Sequence, residues 1–224
     1  MKKALLIITI AMLTFVGKAY AEITAGVSVA VTKIDASGTE TEGGEKNNGG
    51  VDNTVVIPSI FIEKAYTDTV SIGLDFIPIK ADVSKNAKSR TDTETSVSGT
   101  KTTTSTTRTQ RAQAQLKNHL TAYANISLTD KYFIKAGVAY VKLNTDESLD
   151  TGAKYGNEDV FGGVIGIGAR EGNGRLELLY TDYEDISLTS SVARTGVTVN
   201  NKIEADLDTL QLKYCLLYTS PSPR

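Results

Sequence analysis

The sequence predicts an all-β fold: one eight-stranded antiparallel up-and-down β-barrel that crosses a membrane. Three observations predict it. Apolar and polar residues alternate in segments of about ten residues, which is the period of a two-faced strand. The links between successive segments are alternately long and short, as in membrane barrels whose loops and turns lie at opposite ends. One face of each segment carries no charge over its central stretch.

The first element is a secretory signal peptide over residues 1–21. Lys2 and Lys3 precede an apolar run from Ala4 to Val16, and Ala19-Tyr20-Ala21 offers a small-x-small cleavage site. That run has 13 residues, whereas a membrane-spanning helix needs roughly 18 or more. We therefore expect an exported chain that begins at Glu22.

The eight strands follow, each with an apolar face that we predict to contact lipid. A soluble barrel would show the same alternation with its apolar face turned inward; the signal peptide and the charge-free face favour the membrane, where Arg or Lys at the midplane costs about 2 to 4 kcal/mol. The predicted lipid-facing residues are Ile60, Ile62, Ile72, Leu74, Phe76, Ile134, Val138, Phe161, Ile165, Ile167, Leu176, Leu178, Leu210 and Leu212.

The opposite face of the strands carries the charged residues, which we predict to point into the lumen. An interior of eight strands is just wide enough to be filled by side chains, so these groups are expected to pair in a packed polar core, since unpaired buried charges are costly. The predicted lumen residues are Glu63, Asp75, Lys117, His119, Lys135, Arg170, Arg175, Glu177 and Lys213.

The links predict two distinct ends. Short turns are expected at Ala65–Asp68, Leu128–Lys131 and Glu171–Gly174, and long loops at Asp35–Asn53, Lys80–Gln110 and Asn144–Asn157; the link after the seventh strand reads as an extended hairpin with its tip at Arg194-Thr195-Gly196. The long loops are polar enough that we expect them to be mobile and solvated. Aromatic girdles are predicted from Tyr66, Tyr132, Phe133, Tyr140 and Tyr180.

The last ten residues, Cys215–Arg224, break the alternation and place Pro221 and Pro223 where no strand would use them. They are similar to a translated sequencing adapter; a genuine proline-rich tail is the alternative. The predicted organisation is therefore a signal peptide over 1–21, a barrel over 22–214 whose last strand is truncated, and a non-native tail over 215–224.

Composition excludes several functional classes for the predicted barrel. Residues 22–214 hold 20 basic and 26 acidic residues, a net of −6, and no Cys. A disulfide scaffold, a thiol enzyme, a cysteine zinc site and a basic nucleic-acid binder are thereby excluded. With one His and no phosphate-binding glycine motif, we expect no metal and no cofactor.

Four features carry a resemblance to a known family: the Ala19-Tyr-Ala-Glu22 cleavage site, the glycine-rich strand Phe161–Arg170, the Glu171-Gly-Asn-Gly174 turn and the closing strand Leu207–Tyr214. In these the chain resembles the small outer-membrane β-barrel superfamily, which includes the opacity-type surface proteins and the membrane domain of outer membrane protein A. The resemblance implies residence in a Gram-negative outer membrane among lipid and lipopolysaccharide, and insertion by the barrel-assembly machinery, which reads a terminal aromatic residue that this sequence lacks.

Three functions remain open at this point. A structural or surface-interaction (adhesin-like) role is predicted, with possible ligands at the loops and no nucleic acid; loops of this composition also suit a hydrophilic shield without a specific partner. A narrow channel for ions or small solutes is the alternative. Lipid modification is the most distant, because His119 is the only His and no spacing indicates a nucleophile and its base.

Overall fold

A computed structural model describes residues 23–42, 44–98, 102–149, 154–191 and 200–219. The predicted signal peptide and the predicted hairpin tip at Arg194–Gly196 lie outside these ranges. Among the described residues no helix is long and apolar enough to span a membrane. The strands are β1 (Ile23–Glu42), β2 (Glu45–Ala65), β3 (Val70–Ile77), β4 (Ala81–Asp82), β5 (Lys88–Ser98), β6 (Thr102–Ser127), β7 (Tyr132–Leu149), β8 (Asn157–Glu171), β9 (Gly174–Tyr183), β10 (Ile186–Thr189) and β11 (Lys202–Thr219).

Eight of these strands close into a ring, which confirms the predicted fold. The order around the ring is β1-β2-β3-β6-β7-β8-β9-β11, and β11 pairs back to β1. All pairings are antiparallel between neighbours, so the ring is an up-and-down barrel. The short strands β4 and β5 continue the line of β3 beside β6, and β10 continues β9 beside β11. The three tight turns lie at residues 66–69, 128–131 and 172–173, where the sequence predicts them.

The predicted long loops are instead extensions of the strands. β1 runs to Glu42 and β2 begins at Glu45, while β5 pairs with the first part of β6 and β7 continues to Leu149. The prediction of long loops is wrong for those residues of these ranges that the structure describes as paired strands. Residues 45–50 of β2 are exposed at every position, so both faces of this ribbon contact water, and the alternation that marks a half-buried strand is absent.

The last strand also runs further than predicted. β11 continues past Tyr214 to Thr219, and Thr24 lies opposite Thr219. Cys215 is buried and Leu216 is half exposed, so the alternation of inner and outer residues continues across the predicted break. The prediction that the last strand ends at Tyr214 is therefore wrong. The non-native origin of residues 215–224 stays a prediction.

The outer surface of the ring is a belt of exposed apolar residues. Every residue predicted to contact lipid is exposed or half-buried there, with Ile165 and Ile167 60% and 61% exposed. The intervening residues of each strand point into the ring, where they are buried or half-buried. Leu and Ile side chains at this exposure would be unfavourable in water.

The wall is interrupted between β2 and β3 by two prolines. In an antiparallel ladder, hydrogen-bonded and non-hydrogen-bonded pairs alternate. Tyr66 N donates to Val70 O, so the pair Tyr66–Val70 is hydrogen-bonded, and so is every second pair beyond it as far as Ile60 and Phe76. The next such pair would be Pro58 and Pro78. Neither has an N–H to donate, and the ladder ends there.

A second interruption lies between β8 and β10. The ladder of β8 with β9 ends at Gly162 and Tyr183, and an extra residue before Ile186 shifts the pairing with β11. Carboxylates replace the missing backbone acceptors: Phe161 N donates to Glu184 Oε1 at 3.2 Å and Ser187 N donates to Glu158 Oε2 at 3.2 Å.

Above the two interruptions the barrel divides into two facing sheets, β10-β11-β1-β2 and the sheet of β4 or β5 with β6, β7 and β8. The space between them is an apolar core, here called the upper core, whose buried members include Ile34, Ile57, Ile186, Leu188 and Leu207 from one sheet and Val83, Leu116, Val141, Leu143 and Val160 from the other. The predicted polar lumen is therefore present only in the lower half of the interior, and the upper half is apolar.

Candidate functional site

The lower interior holds six charged side chains, here called the ion cluster. Its members are Glu63 on β2, Asp75 on β3, Lys135 on β7, Arg175 and Glu177 on β9, and Lys213 on β11. Each residue is less than one-tenth exposed. Three cations face three carboxylates, so the cluster has no formal net charge.

Arg175 joins two carboxylates at the centre of the cluster. Its Nη1 lies 2.7 Å from Glu63 Oε2 and its Nε lies 2.6 Å from Glu177 Oε1. Lys135 Nζ contacts both oxygens of Glu177, at 2.8 and 2.7 Å, and Lys213 pairs with Asp75. Because burial of ions is expensive, each ion is retained only through its partners.

Uncharged side chains satisfy the remaining carboxylate lone pairs. Glu63 accepts hydrogen bonds from Ser71 Oγ (2.7 Å), Asn125 Nδ2 (2.8 Å) and Tyr123 Oη (3.1 Å). Asp75 accepts one from Ser59 Oγ at 3.0 Å. The predicted lumen residues did not include these uncharged partners, although strand alternation gives all four of them the inward phase.

Aromatic rings pack around the cations. The Arg175 guanidinium lies 4.6 Å from the centre of the Phe61 ring, and Lys135 Nζ lies 4.0 Å from that of Tyr123. Phe133, which the sequence assigns to an outer girdle, is instead buried inside, where Arg170 lies 4.3 Å from its ring centre. Phe133 alternates with Tyr132 and Ile134, so only one phase of this segment can face outward.

Glycines provide the room for these rings. A Cβ at Gly168 would lie 2.2 Å from Phe133 Cζ, and one at Gly73 would lie 2.5 Å from Tyr123 Cζ. The glycine-rich segment of β8 is thus the counterpart of a bulky ring on β7. A bulky side chain and a glycine on the neighbouring strand form a complementary pair that single-strand periodicity does not reveal.

His119 lies above the ion cluster, beside the upper core. Its Nε2 is hydrogen-bonded to Tyr183 Oη at 2.9 Å, and the two rings meet edge to face with 6.4 Å between centres. Nδ1 is buried and has no hydrogen-bond partner among the described residues. The imidazole therefore fills the interior between two layers of packed side chains.

Two predicted lumen residues are not members of the ion cluster, and only one of them lies outside the interior. Arg170 is half-buried near the turn end, where its Nη1 donates to Ser127 Oγ at 3.1 Å. Lys117 is on the outer wall. A β-bulge at Asn118, whose φ is 54°, shifts the register of β6, so Lys117 pairs with Lys142; the neighbours Leu116, Val141 and Leu143 point into the upper core. The inward placement of Lys117 is wrong because a bulge reverses the phase of everything beyond it.

The upper core is covered at its far end by Tyr155. This residue packs against the core, and its Oη donates to Glu40 Oε1 on the opposite sheet at 2.9 Å. Its backbone N–H donates to the Glu147 carboxylate at 2.9 and 3.0 Å. Burial, and next the Glu40 carboxylate, raise the pKa of Tyr155 far above its ordinary value, so the phenol stays protonated as a donor.

No protein-family model matches this chain, and no curated protein matches it either. Solved structures of other proteins do match this chain. The outer membrane protein AlkL is 14% identical, with a TM-score of 0.46 over 93% of this chain and 95% of that one. The outer membrane protease OmpT from Escherichia coli is 11% identical, with a TM-score of 0.44 over 89% and 97%. Neisserial surface protein A is 10% identical, with a TM-score of 0.38 over 84% and 96%.

Proposed function

We propose that this chain, whose fold is that of the small outer-membrane β-barrels, is a closed structural barrel of the bacterial outer membrane that displays β-ribbons at the cell surface. The exposed apolar belt contacts lipid, and the predicted signal peptide directs export. The ribbons formed by β1 with β2 and by β5 with β6 are the surfaces for interaction or shielding. Lipopolysaccharide is the neighbouring lipid, and the barrel-assembly machinery inserts the chain.

The observation that carries the proposal is the filled interior. The ion cluster occupies the lower lumen with side chains that are at most 10% exposed, and the upper core and Tyr155 fill the remainder. A solute path along the axis would require breaking ion pairs that are out of contact with water. A structural or surface role needs no such path.

A catalytic role has no support from the residue that the sequence singles out. His119 is hydrogen-bonded to Tyr183 within the interior, and a substrate lipid outside the wall has no contact with it. General acid–base chemistry requires a positioned group within hydrogen-bond reach of the substrate. We therefore propose a protein without enzymatic activity, and lipid profiles of expressing cells should be unchanged by His119→Ala.

Conductance of the purified protein in planar lipid bilayers tests the closed lumen. We expect no steady conductance, and only brief openings where an ion pair exchanges partners. A variant that removes the central cation, Arg175→Ala, serves as the matched comparison because it widens the cluster at one point. Steady openings of the unaltered protein, at a level set by salt concentration, would establish the narrow channel instead.

A further inference from the structure

Three lysines lie side by side on the outer wall, at the upper border of the apolar belt. Lys117 and Lys142 are directly opposite each other on β6 and β7. Lys80 precedes Ala81, which pairs with Leu116, so Lys80 lies beside Lys117. Their chain neighbours Ala81, Leu116, Val141 and Leu143 belong to the upper core, and side chains alternate along a strand. We call Lys80, Lys117 and Lys142 the lysine row.

The bulge at Asn118 produces this row. Without the extra residue, Lys117 would share the inward phase of His119. Bulges that re-aim a side chain are treated as features of a fold, and like charges placed directly opposite each other destabilise a sheet. A bound anion would offset this repulsion.

The carboxylates nearest the row accept hydrogen bonds from neutral side chains. Asp82 accepts a hydrogen bond from Gln115 Nε2 at 2.9 Å. Asp159 lies opposite Lys142 and accepts one from Tyr140 Oη at 2.9 Å. Both carboxylates remain negative, and Asp159 interacts electrostatically with Lys142. None of the ion pairs within the described residues includes a member of the lysine row, and three lysines beside these two aspartates leave a net charge of +1.

The other half of the same border carries the opposite charge. Four aspartates are in register across β9, β11, β1 and β2: Asp182, Asp208, Asp35 and Asp52. The one lysine beside them, Lys33, is paired with Asp35 at 2.8 Å. The positive charge of the lysine row is therefore a local feature of the wall of β3, β6 and β7.

Below the row the wall is apolar and aromatic. Phe76 and Ile79 are 37% and 43% exposed, and the rings of Tyr140 and Phe161 pack with 5.4 Å between centres. Cations directly above an apolar surface match an amphiphile whose chains lie on the belt and whose anionic headgroup lies at its border. The row is on the ribbon side of the belt, which the proposed function places in the outer leaflet.

We propose that the lysine row binds the phosphate groups of the outer-leaflet glycolipid, with the acyl chains lying on the belt below. This inference rests on the proposed outer-membrane location and assigns a headgroup site within it. Recognition is by charge at the membrane surface, where three lysines together contribute an affinity difference on the order of 100-fold.

Binding of purified lipids in neutral detergent, followed by native mass spectrometry, tests the proposal. The probes are bisphosphorylated lipid A, the same lipid without its phosphates, and inorganic phosphate. The variant is Lys80→Gln/Lys117→Gln/Lys142→Gln. The matched control is Lys33→Gln/Lys46→Gln/Lys202→Gln, which removes three lysines that lie near carboxylates: Lys33 pairs with Asp35, Lys202 with Glu204, and Lys46 is near Glu204.

We expect the row variant to bind lipid A on the order of 100-fold more weakly, the control to bind it normally, and the dephosphorylated lipid to bind both alike. Equal affinity of the row variant and the unaltered protein would overturn the proposal. Displacement of the lipid by equimolar inorganic phosphate would also overturn it. A conducting lumen would refute the proposed closed barrel and leave this lipid result unaffected.

Discussion

At the scale of single residues, Arg175 holds the lower interior together. It is 2% exposed and contacts the carboxylates of Glu63 and Glu177. Removing one member of a buried ion pair leaves an uncompensated charge, which is far more costly than replacing the whole pair by uncharged groups. The ion cluster is therefore stable only when every buried charge keeps a partner of opposite charge.

We predict that Arg175→Met lowers the free energy of unfolding by about 3 to 5 kcal/mol, because two buried carboxylates lose their shared cation. Urea unfolding in lipid vesicles, followed by circular dichroism, measures it. Lys131→Met, at an exposed turn position, is the control and should change stability by less than about 0.5 kcal/mol. The double variant Glu63→Gln/Arg175→Met should recover part of the loss; a single variant as stable as the unaltered protein would contradict the role of Arg175.

Tyr155 links the two sheets through its hydrogen bond to Glu40. Its pKa is raised, first by burial and then by the Glu40 carboxylate. A group whose pKa is higher in the folded state stabilises the fold below its unfolded pKa, near 10 for tyrosine, and loses that contribution as the pH rises through its folded pKa. The contact should thus be fully present at neutral pH.

We predict that Tyr155→Phe lowers the free energy of unfolding by about 1 kcal/mol, the worth of one hydrogen bond. The difference between the two proteins should be constant from about pH 6 to 9 and should shrink above the unfolded pKa of about 10. Unfolding curves recorded across this range measure it. A difference that already declines between pH 7 and 9 would show that the phenol ionises early and that burial does not protect it.

At the scale of strands, the two prolines at the β2–β3 border decide where the barrel wall ends and the facing sheets begin. Pro58 and Pro78 stand where two backbone donors are required. We predict that Pro58→Val/Pro78→Val extends this ladder by one pair, so that the two amides it introduces exchange about fivefold or more slowly than the amides of an unstructured loop, as one added hydrogen bond implies.

The single variants are the controls for this change. Each supplies one donor, so each should protect one amide only. If the double variant exchanges as fast as a free loop at both positions, the prolines do not set the border, and the separation of the upper sheets has another cause. Heteronuclear NMR of the protein in lipid nanodiscs resolves the individual amides.

Strand periodicity predicted the ring and its tight turns, because half of each strand is buried and half faces the belt. It did not predict the ribbons, because a strand exposed on both faces shows no alternation of apolar and polar residues. It also did not predict that Phe133 lies inside the ring beside Gly168. The outward position of Lys117 depends on one extra residue at Asn118, and a bulge has no periodic signal. The ion cluster was predicted residue by residue, whereas its pairing requires the register between strands.

At the scale of the whole molecule, closure of the ring depends on the last strand. Residues 215–219 pair with residues 24–28 of β1, and Leu217 N donates to Asn173 O at 2.8 Å. These contacts lie at the turn end, where Val27 and Leu216 are both about half exposed on the belt. A barrel without them would have two open strand edges facing lipid, and each unsatisfied backbone group there costs several kcal/mol.

We predict that deletion of residues 215–224 sharply lowers the folded fraction in lipid vesicles, measured by the heat-dependent shift in gel mobility and by circular dichroism. Deletion of residues 220–224 alone is the matched control and should fold normally, because it leaves every described β1–β11 pair in place. The physical reason is that an open edge is tolerated in water and excluded in hydrocarbon. Equal folding of the two deletions would show that the ring closes through Tyr214 and that residues 215–219 add nothing to it.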